Sequence, residues 1–168
     1  SQEYYMSIYE ITQSQYEHVM GSEKGLFLPA KGEMRPAQGV SWSEIRGKNI
    51  EDVIGRTLLT LPSPLSTSFI GMLRTKTQLL WDLPTDTQWE YACRAGTSTP
   101  FNNGTPLTTL GHDSNMDVLG RYQYNGGSTS GCAAAYTIME LGPSDVGAYK
   151  PNNWGLYDMH GNVAELCL

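Results

Sequence analysis

The chain has 168 residues and a formal net charge of -6, which is enough length for one domain, residues 1–168, with its own hydrophobic core. It has no Lys/Arg cluster and no long apolar run, so a nucleic-acid footprint and a membrane span are excluded. Only 17% of the residues are charged while Gly and Tyr are frequent, which favours a loop-rich globular domain over a helical bundle. The sequence carries no signal peptide but does not begin with Met, so it leaves the compartment open.

Three helix starts share one pattern, a hydroxyl residue followed three positions later by Glu or Gln. They are Thr12–Gln15, Ser41–Glu44 and Thr85–Gln88. In such a capping box the hydroxyl accepts from the third backbone amide, and the Glu or Gln reaches back to the cap. The sequence therefore predicts helices after all three caps, with Gly21 ending the first and Gly96 ending the third.

The remaining elements are less regular. A fourth helix is predicted over Ser68–Lys76, where apolar residues recur at helical spacing. Short strands are predicted over Tyr4–Ile11 and around Arg121–Tyr124. From Thr97 to Pro151 turn residues dominate, with little helical periodicity. These elements together predict an α+β domain with helices towards its N-terminal side and loops elsewhere.

The last 18 residues, PNNWGLYDMHGNVAELCL, concentrate turn formers and oxygen ligands. Asp158 and Glu165 supply carboxylates, Asn162 supplies an amide oxygen, and Gly161 permits a sharp turn. Calcium takes six to eight such hard oxygens, whereas Asn and Asp also close turns on their own backbone. Spacing alone favours the hydrogen-bonded loop, because the pattern is not an EF-hand.

The three cysteines, Cys93, Cys132 and Cys167, are far apart and form no C-x-x-C pair, which argues against a zinc site. Free or buried thiols are favoured over disulfides, because the count is odd. The sequence also lacks phosphate-binding glycine loops, the H-E-x-x-H zinc motif and the G-x-S-x-G nucleophile motif.

Four stretches in order make the chain resemble a known family: YYMSIYEITQSQYEHVMG, GVSWSEI, LPTDTQWEYACRAGTSTPF and VGAYKPNNWGLYDMHGNVAELC. They are similar to motifs of the formylglycine-generating enzyme family, also called the sulfatase-modifying factor domain, and they cover nearly the whole chain. The resemblance implies a C-type-lectin-like α+β fold with little regular secondary structure and bound structural calcium.

The same resemblance implies which residues hold calcium. It points to the side chains of Asp158 and Glu165 and to the backbone carbonyls of Gly161 and Val163. A second family site begins at an Asn that aligns with Asn125, with its other ligands in the variable 131–141 region. With the resemblance included, a metal-binding turn is favoured over a purely hydrogen-bonded loop.

For function, the resemblance implies a domain whose full-length relatives use oxygen and copper(I), held by a cysteine pair, to oxidise a sulfatase cysteine to formylglycine. That pair follows the terminal motif in the family, so this chain is expected to be a truncated domain without catalytic residues. One departure from the family is Asp82, in DLPT, where an arginine is common.

Two other functions are weighed against this one. A C-type-lectin-like module would bind a protein or carbohydrate ligand through the 97–145 segment, with Tyr122, Tyr124 and Tyr136 as contacts; those tyrosines could equally be core residues. A role like the iron-dependent sulfoxide synthases ranks last, because the chain carries no histidine-bearing helical domain.

Overall fold

Four helices separated by long irregular segments organise the chain in a computed structural model, which describes residues 3–21, 31–47, 62–126 and 142–168. The helices are α1 (Gln13–Met20), α2 (Trp42–Arg46), α3 (Phe69–Thr77) and α4 (Asp86–Arg94). In the described ranges the only β pairing is an isolated antiparallel bridge between Thr12 and Pro36. No helix within those ranges is long and apolar enough to cross a membrane.

The predicted capping boxes are confirmed at all three positions. In α1 the Thr12 hydroxyl accepts from the Gln15 backbone N–H at 3.2 Å, and the Gln15 side chain accepts from the Thr12 N–H at 2.9 Å. The predicted fourth helix is also confirmed: α3 starts after Ser68, whose hydroxyl accepts from the Gly71 N–H. Local hydrogen-bonding chemistry therefore fixes every helix start.

The helix ends agree with the sequence at one of the two predicted positions. Gly21 caps α1 in the left-handed conformation, with φ of 69°. In α4 the left-handed cap is Ala95, with φ of 46°, so the predicted end at Gly96 is one residue too late. Gly96 also has positive φ and continues the turn, which explains why the glycine signal pointed beside the cap.

Both predicted strands are wrong. The 4–11 segment forms no ladder, because its carbonyls bond to different segments: Ile8 accepts from the Tyr157 N–H and Ile11 accepts from the Ala37 N–H. The 121–124 segment leads into a turn that closes from the Asn125 N–H to the Tyr122 carbonyl. Isolated bonds to several partners cannot build a sheet, so the α+β description is not confirmed for the described residues.

Two apolar clusters form the core of the described ranges. In the first, which we call the α1–α3 core, Tyr16 and Val19 pack on Phe69 and Ile70, and the Tyr16 and Phe69 rings stack at 5.1 Å. In the second, Ala92 and Cys93 of α4 pack on Leu156 and Met159. The second cluster matters for function, because it seats the chain's last segment on α4.

Asp82, the departure from the family pattern, neutralises a buried charge. It accepts two hydrogen bonds of 2.7 Å from Arg46, whose side chain is only 2% exposed, and one of 3.2 Å from Arg74. The Arg46 guanidinium also lies over the Trp42 ring at 5.4 Å. An arginine at position 82 would place a third positive charge at this point, so the aspartate is tied to its two arginine partners.

Candidate metal centre

Asn152 docks the terminal segment onto α4. Its side-chain oxygen accepts from the N–H groups of Trp154 and Leu156, at 2.9 and 3.1 Å. Its amide nitrogen donates to the carbonyls of Ala92 and Cys93, at 2.8 and 3.2 Å. Those carbonyls belong to the last turn of α4, where helical partners run out. One buried amide thus closes a loop and caps a helix, which fixes the start of the segment that follows.

Residues 158–165, which we call the 158–165 turn, include three positions with positive φ. Asp158 and Asn162 have positive φ, 58° and 72°, and Gly161 has φ of 147°. A Cβ at Gly161 would lie 2.4 Å from the Arg121 carbonyl oxygen, so only glycine fits. Asp and Asn adopt the left-handed region more readily than most other residues. These three positions therefore let the chain turn sharply between Asp158 and Asn162.

Asp158 is the most deeply buried acid of the turn, with 1% of the residue exposed. Its Oδ2 accepts from the Gly147 N–H at 2.7 Å, but its Oδ1 is buried with no hydrogen-bond partner among the described residues. Burial raises the pKa of Asp158, and the Gly147 bond opposes that rise only in part. A buried oxygen left without a donor is costly and calls for a water or an ion.

Glu10 reaches the turn from the other end of the chain. Its two oxygens accept from the Asn162 side-chain amide at 2.7 Å and from the Val163 backbone N–H at 3.2 Å. Burial raises the pKa of Glu10 to about 8, with the charges of Asp158 and Glu165 adding to the rise and the two hydrogen bonds opposing it. Glu10 was not predicted as a site residue, because it stands 152 positions before Asn162 and no local pattern marks it.

Glu165 completes the acidic group. Burial raises its pKa first, Asp158 adds to the rise, and the Trp89 indole opposes it, although that indole N–H does not reach hydrogen-bonding geometry. Because the Glu165 residue as a whole is exposed, solvent screens this effect more strongly than at the buried Asp158 and at Glu10. The turn therefore has three carboxyl groups with raised pKa values: Glu10, Asp158 and Glu165.

The 158–165 segment contains four of the five predicted metal ligands, and their role as ligands stays a prediction: Asp158, Gly161, Val163 and Glu165. In the described part of the chain, no three acidic, histidine or cysteine side chains form a ready-made metal cluster. A calcium ion here would take backbone carbonyls and water in addition to carboxylates. The orphaned Asp158 oxygen and the all-oxygen donor set fit that ion.

Asn125, the fifth predicted ligand, lies in a separate turn. Its oxygen accepts from the Tyr122 N–H at 2.7 Å, and its amide donates to the Gly120 carbonyl at 2.8 Å. The other members of its predicted site fall in 131–141, outside the described residues. The Asn125 site therefore stays a prediction.

The cysteines in the described ranges, Cys93 and Cys167, are free thiols, as predicted; Cys132 lies outside those ranges. Burial raises the pKa of both to about 11, with smaller contributions from Glu90 at Cys93 and from Asp86 at Cys167. Cys93 is buried and its thiol donates to the Met159 carbonyl at 3.4 Å. At neutral pH neither sulfur is a ready thiolate.

The tyrosines predicted as ligand contacts are half-buried rather than exposed. The Tyr122 hydroxyl accepts from the Asp113 N–H and donates to the Asp117 carboxylate, both at 3.1 Å, and its ring packs on Tyr124 at 5.9 Å. Tyr136 lies outside the described residues. Internal hydrogen bonds thus occupy the Tyr122 hydroxyl, and the role of Tyr122 and Tyr124 as ligand contacts stays a prediction.

A family model for the sulfatase-modifying factor enzyme 1-like domain matches residues 1–168. The chain belongs to this family. It is 28% identical over 185 residues to the chaperone protein LppX of Paenibacillus barcinonensis, covering 98% of this chain and 61% of that protein. It is 35% identical over 83 residues to the formylglycine-generating enzyme of Mycobacterium tuberculosis, covering 49% of this chain and 25% of that protein.

The fold of this sulfatase-modifying factor domain is similar to that of PvdO from Pseudomonas aeruginosa. The two structures match with a TM-score of 0.58 and 21% identity over 94% of this chain and 53% of PvdO. The chain thus spans less than two thirds of each of these three relatives. The likeness to PvdO shows a shared fold.

Proposed function

We propose that residues 1–168 form a calcium-organised scaffold of the formylglycine-generating type and do not themselves carry oxidase chemistry. The observation that carries the proposal is the buried Asp158 Oδ1 without a donor, inside a turn rich in oxygen atoms. A buried carboxylate oxygen without a donor needs either a water or a cation beside it, and the proposal assigns a cation.

Calcium would be held by the side chains of Asp158 and Glu165 and by the carbonyls of Gly161 and Val163, with water completing its shell. The bound ion would supply positive charge to a turn where burial now opposes ionisation. The chain's own residues do the rest: Asn152 holds the entry to the turn, and Gly161 lets the backbone pass close to Arg121. The role is structural, because it organises a loop-rich body.

Copper(I) is held by a pair of soft thiolates. In the metal-free chain the two described thiols, Cys93 and Cys167, are protonated at neutral pH, because burial and nearby carboxylates raise their pKa values to about 11. We therefore assign oxidation of a sulfatase cysteine to relatives that supply a thiolate pair. The relatives include a protein named as a chaperone and one named as a formylglycine-generating enzyme. This agrees with one scaffold serving different functions.

The calcium part is tested by titrating Ca²⁺ into the EDTA-treated chain by isothermal calorimetry, with Mg²⁺ as the matched ion. We expect wild type to bind calcium at the turn and to prefer it to magnesium, since flexible oxygen sites favour the larger ion. Asp158→Asn keeps the side-chain shape and should abolish that binding. A wild-type chain that shows no calcium heat at millimolar calcium would overturn the proposal.

The oxidase part is tested by incubating the same chain with a sulfatase-motif cysteine peptide, oxygen and copper(I). We expect the peptide mass to stay unchanged. Conversion of the cysteine to formylglycine by residues 1–168 alone would overturn this part and leave the calcium part standing.

A ligand-binding role is the second candidate, and an exposed aromatic pair favours it. Tyr91 and Trp154 are 60% and 48% exposed, and their rings meet edge-on at 4.9 Å. Tyr91 also lines a groove of about 590 Å³ along the outer face of α4. Exposed aromatic rings beside a groove suit ligand stacking. We expect Trp154→Ala to remove any glycan-array or peptide binding without changing Tm; unchanged binding would count against this site.

A further inference from the structure

We propose that Glu10 is the positioning residue of the 158–165 turn: its carboxyl group sets the backbone so that the carbonyls of the turn can reach a cation. This inference rests on the calcium proposal above and adds to it a residue from the opposite end of the chain. The experiment below separates a failure of the positioning role from a failure of calcium binding.

Both oxygens of Glu10 hold the turn, each at a different point. One accepts from the Asn162 side-chain amide at 2.7 Å, and the other accepts from the Val163 backbone N–H at 3.2 Å. The Val163 bond fixes the peptide plane between residues 162 and 163. That plane lies between the two carbonyls, of Gly161 and Val163, that are proposed to bind the ion.

The neighbouring peptide plane is fixed from the other side. The Asn162 N–H donates to the Arg121 carbonyl at 2.7 Å. Because the N–H and C=O of a trans peptide point in opposite directions, this bond turns the Gly161 carbonyl away from Arg121. Glu10 and Arg121 thus hold two successive peptide planes, and Glu10 controls the one nearer to Val163.

Asn162 extends this hold to a third segment. Its side-chain oxygen accepts from the Ser144 N–H at 2.8 Å, while its amide nitrogen donates to Glu10. Three residues further along, Gly147 donates to the Asp158 carboxylate at 2.7 Å. Hydrogen bonds from the 144–147 segment therefore hold the turn at Asp158, and those of Glu10 hold it at Asn162 and Val163. The Asn162 side chain bonds to both Ser144 and Glu10.

The two acids play different parts, as their hydrogen bonds show. Each Glu10 oxygen already accepts from an N–H group, whereas Asp158 Oδ1 has no donor in the described part of the chain. Glu10 is thus occupied in holding the turn, and Asp158 has an oxygen free for an ion. Residues that orient metal ligands in this way typically change metal affinity by roughly 10–100-fold when they are removed.

The test measures the calcium Kd by calorimetry in wild type, Glu10→Gln and Glu10→Ala, with far-UV circular dichroism to check folding. We expect Glu10→Ala to raise Kd by roughly 10–100-fold. Glu10→Gln should raise Kd less than Glu10→Ala does. Its amide oxygen can still accept one hydrogen bond, but its NH₂ group faces the second donor and cannot accept from it. Glu90→Gln is the matched control: it makes the same side-chain replacement on the exposed α4 surface and should leave Kd unchanged.

A double-mutant cycle separates positioning from general stabilisation. If Glu10 acts through Asn162, then Asn162→Ala should also raise the calcium Kd. The double variant Glu10→Ala/Asn162→Ala should then have a Kd within about threefold of that of the weaker-binding single variant. Lower apo Tm with unchanged Kd in both Glu10 variants would overturn the positioning role alone. A wild-type chain that binds no calcium would overturn this role and the calcium proposal together. Should Glu10→Ala not fold, the nearly isosteric Glu10→Gln decides.

Discussion

The α1–α3 core and the 158–165 turn solve the same problem, burial of polar groups, in opposite ways. At α1, Thr12 and Gln15 satisfy each other three residues apart. At the turn, Asn162 depends on Glu10 and Ser144, which lie 152 and 18 positions away. Each region also buries one oxygen that has no partner among the described residues, Tyr16 Oη in the core and Asp158 Oδ1 in the turn. The difference shows that a buried oxygen without a partner indicates a bound ion only where the neighbouring groups are also able to coordinate one.

The largest effect is expected at the edge of the α1–α3 core. Asp82→Ala leaves the Arg46 guanidinium, 2% exposed, without its carboxylate, and we expect a loss of roughly 3 kcal/mol in the free energy of unfolding. Chemical denaturation measures it. Arg74→Ala removes the half-exposed arm of the same cluster and should cost less, about 1 kcal/mol. Equal costs for the two variants would contradict the assignment of the buried charge to Arg46.

The second effect concerns the turn alone. At calcium concentrations near 100 times Kd, wild type should gain about 2.7 kcal/mol of stability from binding. Asp158→Asn should gain nothing from calcium, yet in EDTA it should be at least as stable as wild type, since it removes a buried charge that lacks a donor. Thermal melts with calcium and with EDTA measure both, and a calcium-independent loss in Asp158→Asn would show that the carboxylate serves packing only.

A third effect sharpens the contrast between local and distant partners. Thr12→Ala removes the hydroxyl that accepts from the Gln15 N–H, and it should lower stability by about 1 kcal/mol. Its cost should be the same with calcium and with EDTA, because the cap lies outside the turn. A calcium-dependent cost would mean that the two regions are energetically coupled.

How much the sequence could predict follows the same division. The helix starts were predicted from three-residue patterns, because Ser, Thr, Glu and Gln at those spacings carry the capping chemistry themselves. The 4–11 strand was predicted from composition and is wrong, because tertiary hydrogen bonds draw Ile8 and Ile11 to different segments. The position of Asp158 and Glu165 in a turn could be predicted, but Glu10 could not, since its partners are distant in sequence.

The fourth effect appears only in acid. Asp113 accepts from the backbone N–H groups of Thr108, Thr109 and Asn115 and from the Thr108 hydroxyl, and these bonds hold its pKa down to about 2. A carboxyl whose folded pKa is below its unfolded value, about 3.9, stabilises the fold above that value. Its contribution should therefore be lost as the pH falls from about 4 towards 2. Asp113→Asn should lose that pH dependence; an unchanged acid limb in the variant would contradict the role.

The smallest effect returns to the two orphaned oxygens. Tyr16 is 2% exposed, its ring stacks on Phe69, and its hydroxyl has no partner in the described ranges. Removing an unpartnered hydroxyl from an apolar site is nearly neutral or stabilising by up to about 1 kcal/mol. Tyr16→Phe should therefore keep or raise Tm in calcium and in EDTA alike, unlike Asp158→Asn, whose effect depends on calcium. A loss of stability in Tyr16→Phe would show that the hydroxyl has a hydrogen-bond partner. It would also weaken the argument that the unpartnered Asp158 oxygen indicates a bound metal.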